Sequence, residues 1–210
     1  MTADSKAPPD AAPGPDAAPA SDASVIRLSL KDPERFAELF RRHAPRIQRY
    51  VTRRLGVDAA DDIVAETFLL AFRGRAAYDQ TREDALPWLY GIATNLAGQH
   101  RRGEARQYRI TQRAVAEPEV PDHADRVAAG VTAQAMRALL DAALAALPAG
   151  DRDVLLLIAW EQLTYQEVSR ALAIPAGTVR SRLHRARAKV RQVLAGTDAA
   201  ATYEELTTNE

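Results

Sequence analysis

The sequence predicts an all-α protein made of two small helical domains joined by a flexible linker. Alanine accounts for 43 of the 210 residues, and alanine favours helices far more than strands. Apolar side chains recur at helical spacing in two separate stretches, with a proline-rich and acidic segment between them. A chain of this length forms one ordinary domain or two small ones, and the interrupted pattern favours two.

The composition excludes several classes of function. Lys+Arg and Asp+Glu both total 28, so any functional charge must come from how these residues are arranged. The chain has no cysteine, which excludes disulfides, thiol switches and cysteine-ligated metals. The longest apolar run, residues 154–160, is far shorter than the ~20 residues of a membrane helix. With no signal-peptide pattern at the N-terminus, these features predict a cytoplasmic protein without membrane insertion.

Five segments follow from the pattern along the chain. Residues 1–30, which begin with a tract of alanine, proline, serine and aspartate, are expected to form a disordered N-terminal tail. Residues 31–103 are predicted to form the first domain, with helices from Asp32 to Gly56, over about 59–72 and over about 87–101. Residues 104–135 are interpreted as an acidic flexible linker, 136–195 as the second domain and 196–210 as a C-terminal tail without an assigned function.

The second domain contains the pattern of a helix-turn-helix. Thr164 and Glu167 have the spacing of a capping box, in which each side chain binds an open backbone amide at a helix start. The short helix that follows is interrupted at residues 174–177, and a long helix begins near Thr178. A short helix, a turn and a long helix in this order are typical of DNA-binding domains.

The long helix separates an apolar face from a basic one. At 100° per residue, its apolar residues share an arc of roughly 80° that is expected to face the domain core. Residues 178–191 contain six basic residues and no acid. Arginine can form paired hydrogen bonds with guanine in the major groove, and flanking cations bind phosphates. An ordinary solvated face is the alternative, but the capping box, the turn and the separated faces together favour DNA binding.

Three stretches of the sequence resemble a known family. The stretch LTYQEVSRALAIPAGTVRSRLHRARAKV closely resembles region 4 of bacterial RNA polymerase sigma factors of the extracytoplasmic-function (ECF) group. DDIVAETFLLAFR resembles region 2.2 of these proteins, and WLYGIATNLAGQHRR resembles regions 2.3 and 2.4. The resemblance covers roughly residues 33–103 and 137–194 and implies a sigma factor with region 2 and region 4 domains only.

The resemblance also implies partners and roles for particular residues. Region 4 would bind the duplex −35 promoter element, the region 2.3–2.4 helix and the loop before it would bind the single-stranded −10 element, and region 2.2 would bind the β′ clamp helices of core RNA polymerase. An unpaired base exposes its Watson–Crick edge to an amide such as that of Asn95, and an aromatic ring such as that of Tyr78 can stack on it. Trp88 is expected to be a core residue. The implied sets are Thr178, Arg180, Ser181, Arg182, His184 and Arg185 for the −35 element; Tyr78, Asn95, Arg101 and Arg102 for the −10 element; and Asp62, Ile63, Glu66, Phe68, Leu69 and Phe72 for core polymerase.

The same resemblance implies that the protein recognises promoters, helps to melt the −10 element and contacts further polymerase subunits. Family members commonly have an anti-sigma partner, so an anti-sigma factor is a candidate partner here, and the sequence leaves open whether one binds. No catalytic residue, metal site or cofactor is expected, because the four histidines lack metal-ligand spacing and no phosphate-binding loop or nucleophile motif is present. The alternatives are a helix-turn-helix transcriptional regulator that is not a polymerase subunit, a helical enzyme, and a protein-interaction module. A transcriptional regulator would have no use for the region 2-like domain. A protein-interaction module would have no use for the basic face of the long helix.

Overall fold

The computed structural model describes residues 20–114 and 133–195, and in these two ranges all regular structure is helical. The all-α prediction is therefore confirmed. Short 3₁₀ turns at Pro33–Arg35 and Arg75–Ala77 precede α2 and follow α3. None of the described helices is long and apolar enough to span a membrane. The helices are α1 Asp22–Ser29, α2 Phe36–Leu55, α3 Ala60–Gly74, α4 Leu86–Ala114, α5 Ala133–Ala145, α6 Ala149–Ala159, α7 Tyr165–Ala171 and α8 Ala176–Leu194.

Helices α1 to α4 form the N-terminal domain around an apolar core. The rings of Tyr50 on α2 and Tyr90 on α4 pack edge to face, with centroids 5.2 Å apart. The buried Tyr50 hydroxyl also lies 2.8 Å from the Thr94 hydroxyl, which satisfies both polar groups inside the core. These contacts fix α4, which carries three of the four predicted −10 residues, against α2.

The structure corrects the prediction that residues 1–30 are a disordered tail. Residues 22–29 form α1, whose Val25 and Ile26 are buried in the core of the N-terminal domain. The Asp22 carboxylate accepts hydrogen bonds from Arg42 (3.0 Å) and from the backbone amide of Ala85 (3.0 Å). The sequence analysis missed α1 because it has only two turns, too few for a clear apolar period. The rest of the predicted tail, residues 1–19, lies outside the described residues.

The predicted linker also starts later than expected. Helix α4 continues to Ala114, so the first eleven residues assigned to the linker are helical. Its 29 residues extend over about 43 Å at 1.5 Å per residue. Residues 102–109 are all exposed, and a helix that is polar on every side gives no apolar period to detect. Residues 115–132 and the C-terminal tail from 196 lie outside the described residues.

Helices α5 to α8 form the C-terminal domain, and here the local predictions are confirmed. Thr164 and Glu167 form both hydrogen bonds of the capping box. The turn between α7 and α8 includes Ala173 with a positive φ of 52°, a conformation that is uncommon for residues other than glycine. The apolar arc of α8 is buried as expected, through Val179, Leu183, Ala186, Val190 and Leu194.

The two domains are packed together, which the sequence analysis did not predict. Helix α7 lies directly on α4. The two helices are so close at Gly91 that a Cβ added there would stand 2.3 Å from the carbonyl oxygen of Ala171. Only glycine permits this approach. The Tyr90 hydroxyl donates to Glu161, and burial together with this hydrogen bond raises the pKa of Tyr90.

Candidate nucleic-acid and polymerase interface

Helix α8 presents three of the predicted −35 residues to solvent. Arg180, Ser181 and His184 are exposed on the side opposite the buried arc, and Thr178 is half-buried at the start of the helix. The Ser181 hydroxyl donates to the carbonyl of Thr178 at 3.1 Å, so its oxygen still has a free lone pair. This exposed face matches the length and polarity of a helix that enters the major groove.

Arg185 is also exposed, but its guanidinium is already held by a partner. Its Nε and Nη2 donate to the two carboxylate oxygens of the buried Asp151, at 3.0 and 2.9 Å. These hydrogen bonds and the negative charge of Asp151 raise the pKa of Arg185. Two of the five guanidinium N–H groups are used, so the remaining three are free to bind a base or a phosphate.

Arg182 takes a different position from the one its place on α8 suggested. The Arg182 guanidinium lies over the first turn of α6. A Cβ added to Gly150 in that turn would be 2.6 Å from Nη1 of Arg182. The six predicted −35 residues therefore divide into an outward group and two arginines that rest against α6. The resemblance alone could not show this division, because it depends on the contact between α6 and α8.

The loop between Ala77 and Leu86 is closed by the Tyr78 side chain. The Tyr78 hydroxyl donates to the carbonyls of Arg82 (2.8 Å) and Asp84 (3.1 Å), and its ring packs on Trp88 with centroids 5.0 Å apart. Only 8% of Tyr78 is exposed. Burial and the nearby negative charges of Asp22 and Asp84 raise the pKa of Tyr78 to about 12. The Tyr78 ring therefore anchors the loop in this structure, and its stacking on a −10 base stays a prediction.

A cavity of about 420 Å³ lies beside this loop and reaches the predicted base-contacting asparagine. Asn95 is exposed on α4 and lines the cavity together with Trp88, which is half-buried and not fully in the core. Arg82 lines the same cavity from the loop, and Arg170 closes it from α7 of the other domain. The sequence analysis missed both arginines, since their place in the cavity depends on the loop and on the domain contact.

Arg101 and Arg102, the other two predicted −10 residues, lie further along α4. Arg101 is half-buried and Arg102 is exposed. Both line a second cavity, together with residues of α2 and α6. The structure thus brings these arginines together with each other but places them in a different cavity from Asn95.

The predicted polymerase-binding residues on α3 separate into exposed and core positions. Asp62 and Glu66 are exposed and Leu69 is 46% exposed, so these three can contact a partner. Ile63 and Phe68 are buried, and Phe72 is half-buried with its ring edge to face against Phe36. Ile63 and Phe68 are therefore core residues of the N-terminal domain in this structure.

An additional apolar residue extends this surface beyond the sequence prediction. Phe40 on α2 is 45% exposed, and its ring packs edge to face on Phe68 at 4.8 Å between centroids. Leu70 is also among the exposed large apolar residues. The packing of α2 on α3 places Phe40 at the edge of the core.

Asp22, His43 and Asp84 bring three side chains that can bind a metal ion together, with one ligand atom of each within 4.8 Å of the others. The Asp22 carboxylate, however, already binds Arg42, His43 and the amide of Ala85. Burial acts to raise the pKa of Asp22, but the hydrogen bonds from His43 and Ala85 outweigh it and hold the pKa below the usual 3.8. These contacts attach α1 to α2 and to the start of α4, and this structural role accounts for the cluster.

Comparisons with known proteins identify both domains. The family model of Sigma-70 region 2 matches residues 39–107, and the model of Sigma-70 region 4 matches residues 137–190. The chain is 35% identical to the ECF RNA polymerase sigma factor SigE of Mycolicibacterium smegmatis, over 75% of this chain and 61% of SigE. It is 32% identical to the ECF RNA polymerase sigma factor SigL of Mycobacterium tuberculosis, over 70% of this chain and 81% of SigL.

A solved structure supports the same fold. The sigma factor RpoE of Bartonella quintana, solved with the anti-sigma factor NepR, is 20% identical with a TM-score of 0.55, over 76% of this chain and 96% of that one. Two region models in the expected order, together with the identity to SigL across most of its length, show that the chain belongs to the ECF group of sigma-70 family RNA polymerase sigma factors.

Proposed function

We propose that this protein binds core RNA polymerase, recognises −35 and −10 promoter elements and promotes transcription initiation. The observation that carries the proposal is the pairing of a basic helix-turn-helix with a region 2 domain in one chain. The proposed role contains no catalytic step of its own, since the polymerase performs the chemistry. It operates in the cytoplasm, where the polymerase and the promoter are.

The −35 element is assigned to α8, with the exposed Arg180, Ser181 and His184 as readers in the major groove. Arg185 acts from its fixed position on Asp151, and Arg182 and Thr178 serve as phosphate contacts at the edge of the helix. An arginine that is held by a carboxylate loses less conformational freedom when it binds, which favours a defined hydrogen-bond geometry.

The −10 element is assigned to the cavity beside the loop and to α4. Asn95 faces the cavity, and its amide can both donate to and accept from the Watson–Crick edge of an unpaired base. Arg101 and Arg102 lie one to two turns further along α4, on the path of a bound strand. Because Tyr78 is held in the loop, Trp88 is the aromatic ring of this cavity with exposed surface to offer a base.

Core polymerase is assigned to the exposed part of the α3 surface. Asp62 and Glu66 offer carboxylates to a basic partner, and Leu69 with Phe40 offers apolar area beside them. A mixed patch of this kind, with an apolar centre and charged edges, is typical of protein interfaces. An anti-sigma factor is a further proposed partner, since RpoE was solved in complex with one.

The test is run-off transcription with core RNA polymerase on a pooled promoter library, with and without the protein. We expect protein-dependent starts whose upstream DNA shares two spaced motifs. The Arg180→Ala variant should weaken binding to its best −35 duplex by about 1–3 kcal/mol if Arg180 contacts a base, and Arg191→Ala, an exposed arginine outside the proposed set, serves as the control. The regulator alternative would instead give tight binding to duplex DNA by the free protein and no polymerase-dependent starts.

A further inference from the structure

The second cavity lies between the two domains and is strongly basic. Its volume is about 740 Å³, and its walls come from α2 and α4 of the N-terminal domain and from α6 of the C-terminal domain. Asp153 is its one acidic lining residue in the described part of the chain. The basic lining residues are Arg54, Arg101, Arg102, Arg106, Arg109 and Arg152.

Among the described residues that line this cavity, the positive charges outnumber the single acidic side chain. Asp153, the acidic lining residue, is already paired with Arg54. Burial and the positive charges of Arg101 and Arg54 lower the pKa of Arg152. Like charges that are held close together in a partly buried space repel each other, and an anion would relieve that repulsion.

Two arginines also have unused donors in this region. The Nε atoms of Arg54 and Arg152 are buried and bind no acceptor among the described residues. The Arg54 side chain is 3% exposed, so water does not readily replace the missing acceptor. Buried donors without acceptors are costly, and such groups often mark the place of a ligand.

The start of α6 adds a third feature that favours an anion. Ala149 lines the cavity at the first turn of α6, and the N-cap residue Pro148 provides no side-chain acceptor for the open amides there. The N-terminus of a helix attracts negative charge through these amides and the helix dipole. Through Ala149, this turn forms part of the cavity wall.

We propose that the interdomain cavity binds a compact polyphosphate anion, such as an inorganic polyphosphate or the phosphate chain of a nucleotide. The guanidinium group matches phosphate oxygens with paired hydrogen bonds, and the cavity has the size of a small-molecule site, about 300–1,000 Å³. An anion in this position binds residues of both domains and therefore stabilises their contact. It also occupies Arg101 and Arg102, so it competes with −10 DNA; only this last consequence rests on the proposed function.

DNA carries the same phosphate chemistry, so the experiment uses two probes. Calorimetric titration of the full chain is carried out with sodium tripolyphosphate and, separately, with single-stranded oligothymidylate. We expect tripolyphosphate to bind one to one, and Arg152→Gln to weaken it by about tenfold or more, as expected for loss of a charged hydrogen-bond donor. The matched control is Arg73→Gln, an exposed arginine on α3, which does not line the cavity.

A second variant keeps the test independent of the domain core. Arg106 lies exposed on α4, so Arg106→Gln should weaken tripolyphosphate binding without disturbing the fold. The proposal is overturned if tripolyphosphate does not saturate one site, if both cavity variants bind it as tightly as the wild-type protein, or if only oligothymidylate shows the dependence on Arg152. Run-off transcription without tripolyphosphate tests the sigma role separately, because normal promoter-dependent starts are compatible with failure of the anion site.

Discussion

The buried carboxylate of Asp151 holds the guanidinium of Arg185 with two hydrogen bonds of 3.0 and 2.9 Å, one to each carboxylate oxygen. Asp151 lies in the first turn of α6, and Arg185 lies on the exposed side of α8. A residue proposed to contact DNA is therefore oriented by a residue on another helix, 34 positions earlier in the chain.

This pairing predicts that Asp151 affects −35 recognition through Arg185. We expect Asp151→Ala and Arg185→Ala each to weaken binding to the −35 duplex, because the first removes the support and the second removes the contact. In the double variant the two effects should not add, since both act on the same group. The affinities of the wild-type protein, the two single variants and the double variant for the −35 duplex form a double-mutant cycle. Strictly additive losses of binding free energy would show that the two residues act independently.

Asn95 is predicted to be required for promoter opening. In Asn95→Ala the amide that faces the cavity is lost, so capture of an unpaired −10 base should fail while binding to core polymerase is retained. Permanganate reactivity of promoter thymines measures the opening. Gln99→Ala removes an exposed amide that does not line the cavity and should open normally. Normal opening by Asn95→Ala on a linear promoter would remove Asn95 from the proposed site.

The exposed surface of α3 is predicted to bind core polymerase. Leu69→Glu places a charge at the apolar centre of this surface, and we expect it to lower the affinity for core polymerase by about tenfold or more. The control is Leu28→Glu on α1, where the leucine is exposed to a similar degree. Competition with a labelled wild-type protein for core polymerase gives the affinity, and equal affinities for the two variants would contradict the assignment.

The contact between the two domains is predicted to depend on Gly91. In Gly91→Ala the new methyl group meets the backbone of Ala171, so α7 must move away from α4. We expect a larger radius of gyration by small-angle scattering with unchanged helical content, since alanine is a better helix former than glycine. Gly103→Ala on the same helix has open space around its Cβ and should leave the scattering unchanged. An unchanged radius of gyration in Gly91→Ala would show that the domains do not hold this contact in solution.

The attachment of α1 is predicted to depend on pH through Asp22. Its pKa in the folded protein lies below the usual 3.8, so its ionised form stabilises the fold above that value, and this stabilisation is lost as the pH falls through the lower, folded-state pKa. We expect Asp22→Asn to lower the free energy of unfolding by about 1–3 kcal/mol near neutral pH. The difference from the wild-type protein should shrink in acid.

Urea unfolding at several pH values measures this difference. Asp58→Asn, at an exposed position before α3, should have little effect at any of them. If the effect of Asp22→Asn were the same at neutral and acidic pH, ionisation of Asp22 would not be its cause.

Local features of the sequence predicted the helix-turn-helix well. Thr164, Glu167 and the apolar arc of α8 act within a few residues of each other, so their spacing is enough to identify them. The exposure of Asn95 on α4 is also consistent with its assignment to an unpaired base. Ile63, by contrast, was assigned to the polymerase-binding set but is buried in the core.

Features that depend on distant parts of the chain could not be predicted. The position of Arg182 over Gly150 and the approach of Ala171 to Gly91 each require two helices to be placed first. The spacing of residues within one helix carries no information about such contacts.

Helix α1 also determines where a fragment of this protein can begin. The region 2 family match starts at residue 39, whereas the apolar core of the N-terminal domain already includes Ala23, Val25 and Ile26. A fragment cut at the family boundary would leave the apolar surface beneath α1 open to water and would also remove the carboxylate that binds Arg42 and His43. A soluble N-terminal fragment for crystallisation or spectroscopy should therefore begin before Ser21, at least nineteen residues ahead of the boundary that the family match alone would give.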